Sequence, residues 1–149
     1  MITILRDTKI KAPFNKAFDF LSEPKNLTEI WSNLVEIKNI KRPKVGNNVQ
    51  YDWVYKMAGM RLDGKSEITD FVLYERLVTK SRKGSTNTTT WNFNKVEHDT
   101  ELQLKIEYEI PASLHGKVDE KTIVEENEHE VDAMLENLRR HIELELAHA

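Results

Sequence analysis

The sequence predicts an α+β fold in which a seven-stranded, curved antiparallel sheet wraps around one long C-terminal helix. Two observations predict it. Between residues 35 and 110, apolar side chains alternate with polar ones through a series of short segments, the period of two that a strand with one buried face produces. From about Asp119 the apolar residues recur every three or four positions instead, which indicates one long amphipathic helix.

The N-terminal part predicts one strand followed by two short helices. Residues 2–10, ITILRDTKI, are rich in Ile and Thr and suit a strand. Pro13 is well placed to open a helix, because its missing N–H would have no partner there anyway. This first helix presents four apolar residues on one face, namely Phe14, Ala17, Phe18 and Leu21. The second helix opens at Pro24 and again holds helical spacing, through Leu27, Ile30, Trp31 and Leu34.

Six further strands are predicted in succession. They cover residues 35–41, 49–57, 60–72, 74–83, 87–97 and 101–110. In the first of them, the residues on one face are Val35, Ile37 and Asn39. Residues 42–48, Ala58-Gly59, the surroundings of Gly84, and His98-Asp99 have the composition of turns. The last strand alternates most cleanly, which predicts one face on a core and one face in water.

The C-terminal helix is predicted to run for roughly seven turns at 3.6 residues per turn. One face of this helix is formed by Val124, Asn127, Val131, Leu135, Leu138, Ile142 and Leu146, an otherwise apolar stripe. Asn127 interrupts this stripe. It is either a polar residue near the end of a cavity or a hydrogen-bond donor to a ligand, and the sequence leaves both open.

The composition excludes several classes of protein. The chain has 149 residues, 39% hydrophobic and 32% charged, and no cysteine. This length suffices for a substantial core, and without an evident linker or repeat we predict a single domain over residues 1–149. The absence of cysteine excludes disulfides, thiolate catalysis and Cys-ligated metals. Apolar runs are too short for a membrane span, and the N-terminus does not look like a signal peptide, so we expect a cytoplasmic protein.

Charge is unevenly distributed along the chain. Residues 118–149 carry ten acids and three bases, whereas residues 1–117 have a net charge of +4. The basic cluster Lys38, Lys41, Arg42 and Lys44 is short and lacks interleaved aromatics, unlike a nucleic-acid surface. We therefore predict solvated surface there and no nucleic-acid partner.

The segment VQYDWVYKM, residues 49–57, raises the main functional question. It places three large aromatic rings on one face, and such a stripe either fills a core or lines a cavity. By the same alternation, the other strands add inward groups that are mainly apolar with a few hydroxyls, the usual composition of a small-molecule pocket. The candidate ligand-binding residues are Tyr51, Trp53, Tyr55, Met57, Leu62, Ser66, Leu77, Thr79, Thr89, Trp91, Phe93, Tyr108, Asn127 and Val131.

Two segments carry a resemblance to a known family. The first is the opening IKAPFNKAFDFLSEPKNLTEIW, and the second is T-x-L-x-L-x-x-x-Y-x-x-P, from Thr100 to Pro111, followed by one long helix. With this arrangement the whole chain resembles the START/SRPBCC superfamily, which has the helix-grip fold. It looks most like the polyketide cyclase/dehydrase and coenzyme Q-binding groups. The resemblance implies a cavity between the concave sheet and the long helix, with Tyr51, Trp53 and Tyr55 pointing inward.

These observations favour a binding or carrier protein over an enzyme. The ligand would be a hydrophobic small molecule that is polyketide-, isoprenoid- or lipid-like. The predicted inward side chains include no carboxylate, lysine, arginine or histidine, so no general acid or base is evident and no catalytic residue is assigned. An alternative is a cyclase/dehydratase-type enzyme acting on a similar molecule, which would need an ionisable group inside. A register shift could bring in Asp63, Glu67 or Arg76.

A further alternative is a protein-interaction module that uses the acidic helix or a sheet edge to bind a protein partner. No cofactor and no metal are predicted. Glu125 and His129 have the i, i+4 spacing of two metal ligands on a helix, but a third ligand is not evident.

Overall fold

The computed structural model describes residues 1–43 and 48–147, and these form one antiparallel sheet together with three α-helices. The strands are β1 (Ile2–Ile10), β2 (Leu34–Lys41), β3 (Gln50–Met57), β4 (Met60–Val72), β5 (Arg76–Lys83), β6 (Asn87–Val96) and β7 (Asp99–Tyr108). Their order in the sheet is β1-β7-β6-β5-β4-β3-β2. Strands β2 to β7 therefore pair with their sequence neighbours, and β1 pairs with β7. The predicted α+β fold is confirmed.

The helices are α1 (Phe14–Leu21), α2 (Leu27–Ile30) and α3 (Glu120–Ala147), with short 3₁₀ turns at Pro24–Asn26 and Ala112–Leu114. Asp119 precedes α3, and its carboxylate accepts a hydrogen bond from the backbone N–H of Thr122 at 3.3 Å, which satisfies one of the free donors of the first turn. With 28 residues, α3 covers the concave face of the sheet. In the described part of the chain, no helix combines the length and apolar character that crossing a bilayer requires.

Bulges curve the sheet around α3. The pairing of β4 with β5 shifts register between Lys65 and Ser66 and again between Ile68 and Asp70. A bulge adds an unpaired residue, bends its strand and increases the local twist. The resulting concave face is the one on which α3 packs, in the arrangement expected of a helix-grip fold.

Strand β2 differs from its prediction. It has two register shifts against β3, so every third residue turns inward and the buried or half-buried positions are Leu34, Ile37 and Ile40. Val35 is 51% exposed, and Asn39 has a left-handed backbone with φ 54°. The predicted alternation of Val35, Ile37 and Asn39 on one face is therefore wrong, because regular alternation does not survive two bulges.

Other boundaries shift by a few residues. The second helix ends at Ile30, since Trp31 is already extended with φ −115° and ψ 96°. Tyr74, with φ 62°, lies in the turn before β5, and Asp99 belongs to β7 rather than to the preceding turn. The predicted turn at residues 42–48 falls largely outside the described residues.

The apolar stripe of α3 is also revised. Ile123 and Met134 are buried, whereas Val124 is only half-buried and Leu146 is 37% exposed. The complete buried set is Ile123, Asn127, Val131, Met134, Leu135, Leu138 and Ile142. The helix thus packs with a slightly rotated face, and residues 144–147 at its end are exposed.

An aromatic cluster fills the interior beneath α1. Phe18 makes edge-to-face contacts with Phe71, Tyr74 and Phe93 at centroid distances of 5.2, 5.3 and 5.1 Å. Such pairs add to the stabilisation that burial alone provides. This part of the interior is solidly packed, and the unfilled space lies elsewhere under α3.

Candidate ligand cavity

A cavity of about 140 Å³ lies between the concave face of the sheet and α3. All seven strands contribute to it, as do the 24–34 segment and two residues of α3. Most lining side chains are aliphatic or aromatic, and the remainder carry hydroxyl or amide groups. This mixture suits an apolar ligand that makes a few directed polar contacts.

The cavity brings together most of the predicted site residues. Those that line it are Tyr51, Trp53, Tyr55, Met57, Leu62, Ser66, Leu77, Thr79, Thr89, Trp91, Tyr108, Asn127 and Val131. Phe93 is placed elsewhere, because its ring packs against Phe18 in the aromatic cluster. The alternation of residues predicted the correct face of β6 for Phe93, but α1 covers that end of the strand.

Ten lining residues were not among the predicted site residues. They are Ile4, Leu21, Pro24, Leu27, Trp31, Leu34, Ile68, Ser85, Asn87 and Ile106. Alternation along the predicted strands 60–72 and 101–110 does predict Ile68 and Ile106 on the inward face. The 24–34 segment lines the cavity because of the way it folds over the sheet. The spacing of residues along the sequence does not predict that path.

Hydroxyl groups cross the sheet in register. Tyr51 pairs with Ser66 on the neighbouring strand, and Thr79 pairs with Thr89. Tyr51 and Ser66 are each only 7% exposed. Burial raises the pKa of Tyr51 to about 12, an effect opposed by the nearby hydroxyls of Ser66 and Thr79. Tyr51 therefore stays a neutral phenol.

A second polar pair lies where β7 faces α3. The amide Nδ2 of Asn127 donates a hydrogen bond of 2.7 Å to the Tyr108 hydroxyl, and both side chains are buried. Burial raises the pKa of Tyr108, and the carboxylates of Glu128, Glu130 and Glu120 add to this effect, against the opposing bond from Asn127. Three carboxylates of α3 thus act on the Tyr108 hydroxyl.

Glu130 joins three elements at the edge of the cavity. Its Oε2 accepts a hydrogen bond from the Tyr55 hydroxyl, and its Oε1 accepts one from Nδ2 of Asn33. Burial raises the pKa of Glu130, the bond from Tyr55 lowers it, and Glu126 raises it further. The pKa of Tyr55 is also raised, first by burial and then by the Glu130 charge. The two hydrogen bonds of Glu130 thus connect α3 with β3 and with the α2–β2 connection.

Trp31 completes this end of the cavity. Its ring meets the Tyr55 ring edge-on, with centroids 5.8 Å apart. Its Nε1 is the one buried side-chain nitrogen or oxygen, within residues 1–43 and 48–147, that has no hydrogen-bond partner. Native proteins rarely leave such a donor unpaired, which distinguishes Trp31 from the other lining residues.

No carboxylate, lysine, arginine or histidine of the described chain lines the cavity directly. Asp63 and Arg76 are exposed and Glu67 is half-buried on the outer face, so the register shift considered from the sequence does not bring them inside. Glu130, which touches the cavity through Tyr55, was missed. Glu130 directly precedes Val131 and lies three residues after Asn127. This helical spacing from Asn127 is the one sequence feature that could have indicated that Glu130 lies near the cavity. Among residues 1–43 and 48–147, no three His, Asp or Glu side chains come together as metal ligands.

Comparison with known proteins identifies one matching family. A family model described as polyketide cyclase/dehydrase and lipid transport matches residues 1–143. A search of the curated proteins found no match.

Solved structures share the fold at low sequence identity. TTHA0849 from Thermus thermophilus has a TM-score of 0.81 at 17% identity, covering 95% of this chain and 97% of its own. A START superfamily protein from Mycobacterium smegmatis has a TM-score of 0.77 at 11% identity, with coverage of 95% and 97%. The Zhui aromatase/cyclase from Streptomyces sp. R1128 has a TM-score of 0.69 at 11% identity, with coverage of 95% for both chains. These identities establish the shared fold alone.

Proposed function

The chain belongs to the polyketide cyclase/dehydrase and lipid transport family, and we propose that it is a binding or carrier protein for a hydrophobic small molecule. The ligand would lie between the sheet and α3. The cavity of about 140 Å³ carries this proposal, because a close-packed interior normally leaves few voids larger than a water molecule. Apolar side chains would contact most of the ligand, and the hydroxyl and amide groups would orient it.

The size of the cavity limits the ligand. An apolar cavity of about 150 Å³ is large enough to bind benzene. The proposed ligand is therefore a compact molecule of one ring or a short branched chain, such as a small polyketide-like or isoprenoid compound. A long acyl lipid would require α3 or the 24–34 segment to move outward.

A cyclase or dehydratase-type enzyme is the second candidate, and Glu130 is the observation that favours it. A partly buried carboxylate of raised pKa beside a cavity has the properties of a general base. However, both of its oxygens already accept hydrogen bonds, from Tyr55 and Asn33. Any proton transfer from a ligand would have to pass through Tyr55, so binding without chemistry ranks first.

The test is to identify what copurifies with the protein, by native mass spectrometry followed by denaturing extraction. A bound apolar molecule of the proposed size is the expected result. The variant Val131→Phe should lose this molecule, because residue 131 is 2% exposed and lines the cavity. The control Leu144→Phe adds the same ring at a position on α3 that is 59% exposed, and it should retain the ligand. If p-xylene added in excess also fails to bind the wild-type protein, the proposal is wrong.

A further inference from the structure

The hydrogen bonds around Tyr55 determine what kind of group it can contact in the cavity. Its hydroxyl proton is directed at Oε2 of Glu130, and Asn33 holds the other carboxylate oxygen. Glu130 is thereby fixed in position from two sides. Because the Tyr55 proton is committed, its oxygen is left as an acceptor for any ligand group in the cavity.

Trp31 offers the complementary function next to it. Its indole N–H lies close enough to the Tyr55 hydroxyl to lower the pKa of that tyrosine. This contact falls short of hydrogen-bond geometry, however, so within the described residues the N–H makes no complete hydrogen bond. Indole nitrogen is a donor only. Trp31 and Tyr55 both line the cavity, so one acceptor and one donor without a complete hydrogen bond belong to neighbouring side chains of the same wall.

The charges near this end act against anionic ligands. The cavity lining in the described chain includes no lysine, arginine or histidine. Glu130 is in contact with Tyr55, and Glu120, Glu128 and Glu130 all act on Tyr108, which lines the same cavity. A ligand carboxylate would be desolvated among these carboxylates without a cation to pair with, which is strongly unfavourable.

We infer that the ligand is a neutral molecule with a hydroxyl group at the end that meets Trp31 and Tyr55, and that free carboxylic acids are excluded. A hydroxyl donates one hydrogen bond and accepts others. It can therefore donate to Tyr55 Oη and accept from Trp31 Nε1, which a ketone or an ether cannot do. This inference rests on the proposed function and narrows it to alcohols and phenols, setting aside fatty acids.

Three matched one-ring probes test the inference, namely p-cresol, p-xylene and 4-methylbenzoate. They differ in one substituent, which is a hydroxyl, a methyl or a carboxylate. Binding is measured at pH 7 by titration of ¹H–¹⁵N spectra, in which the three Trp indole signals report directly. We expect p-cresol to bind about threefold to tenfold more tightly than p-xylene and to shift the Trp31 indole signal. We expect 4-methylbenzoate to bind more weakly than p-xylene.

Variants assign these preferences to residues. Tyr55→Phe and Trp31→Phe should each reduce the preference for p-cresol over p-xylene, while p-xylene itself still binds. Glu130→Gln should strengthen 4-methylbenzoate binding by about threefold to tenfold. Two controls should behave like the wild type. Glu125→Gln removes an exposed carboxylate from the same helix, and Tyr74→Phe removes a hydroxyl outside the cavity.

The binding of the three probes tests the inference and the proposed function separately. If p-cresol and p-xylene bind equally, or if 4-methylbenzoate binds most tightly, the inference is overturned and the proposed function stands. If no probe binds, the proposed function fails and this inference fails with it. Should Tyr55→Phe not fold, Trp31→Phe still tests the hydrogen-bond donor and Glu130→Gln still tests the negative charge.

Discussion

The indole of Trp53 lies directly against the backbone of Gly64, its register partner on β4. A Cβ atom at residue 64 would come 2.1 Å from Cζ2 of Trp53 and 2.4 Å from the carbonyl oxygen of Lys83. Only a glycine permits this approach. Trp53 can therefore lie flat enough along the sheet to line the cavity instead of filling it.

Replacing Gly64 by alanine should push the Trp53 ring toward α3. We expect the free energy of unfolding to fall by about 1–3 kcal/mol, as for overpacked interiors. We also expect binding of p-xylene to be lost at temperatures where the variant is folded, because the displaced ring occupies the cavity. Urea unfolding and NMR titration measure the two effects.

The control for this variant is Gly59→Ala. A Cβ atom there meets nothing within 4 Å, although its φ of +77° makes any side chain unfavourable. It should destabilise the hairpin without changing ligand binding. Unaltered binding in Gly64→Ala would contradict the proposed role of Gly64.

Tyr108→Phe should test how well the buried amide of Asn127 is satisfied. This change removes the acceptor of a 2.7 Å hydrogen bond. The orphaned Nδ2 should destabilise the protein by about 1–3 kcal/mol. Chemical denaturation of the ligand-free protein measures the difference.

The matched partner is the double variant Asn127→Leu/Tyr108→Phe. It removes both polar groups, so it should be more stable than Tyr108→Phe alone. If Tyr108→Phe is as stable as the wild type, water must satisfy Asn127, and the cavity is not dry at this end.

Much of the architecture could be predicted because local sequence determines it. Alternation along β3 and β7 placed Tyr51, Trp53 and Tyr108 inward, and helical periodicity located α3 to within one residue of its start. Alternation fails where backbone geometry is irregular, as at the two bulges of β2, which turn Val35 outward.

The hydrogen bonds of Glu130 at the edge of the cavity could not be predicted for a different reason. The Tyr55–Glu130 hydrogen bond spans 75 residues of sequence, and the Asn33–Glu130 bond spans 97. Such contacts depend on the rotation of α3 about its axis and on where the 24–34 segment crosses it. A rotation of α3 that buries Ile123 in place of Val124 also brings Glu130 to Tyr55, and periodicity does not resolve one residue of rotation.

Ala58→Asn should stabilise the hairpin between β3 and β4. Ala58 and Gly59 have φ values of 51° and 77°, and positive φ at both central residues is the pattern of a type I′ turn, in which Asn-Gly is preferred. Alanine is strained in the left-handed region, whereas asparagine tolerates it. We expect a gain of about 0.5–1 kcal/mol, measured by thermal or urea unfolding.

The opposite control is Ala58→Val at the same position. A β-branched side chain is strongly disfavoured at positive φ, so this variant should be less stable than the wild type. Equal stability of the asparagine and valine variants would show that the turn adopts another conformation in solution.

Because of Tyr51, the free energy of unfolding should depend on pH in the alkaline range. Burial raises the pKa of Tyr51 from 10.0 to about 12, while the unfolded chain keeps the ordinary value. Above pH 10 the unfolded state therefore loses this proton first, and the free energy of unfolding falls as pH rises through both values. The difference between the ordinary pKa of 10.0 and the folded-state pKa of about 12 corresponds to a loss of about 2–3 kcal/mol in the free energy of unfolding.

The comparison of wild type with Tyr51→Phe isolates this effect. Tyr55 and Tyr108 also have raised pKa values, but they act in both proteins, and the groups facing Tyr51 are the neutral hydroxyls of Ser66 and Thr79. Urea unfolding at pH 9, 10, 11 and 12 should show the wild type losing stability more steeply than the variant. Parallel profiles would mean that the Tyr51 hydroxyl is solvated, and thus that water enters the cavity freely.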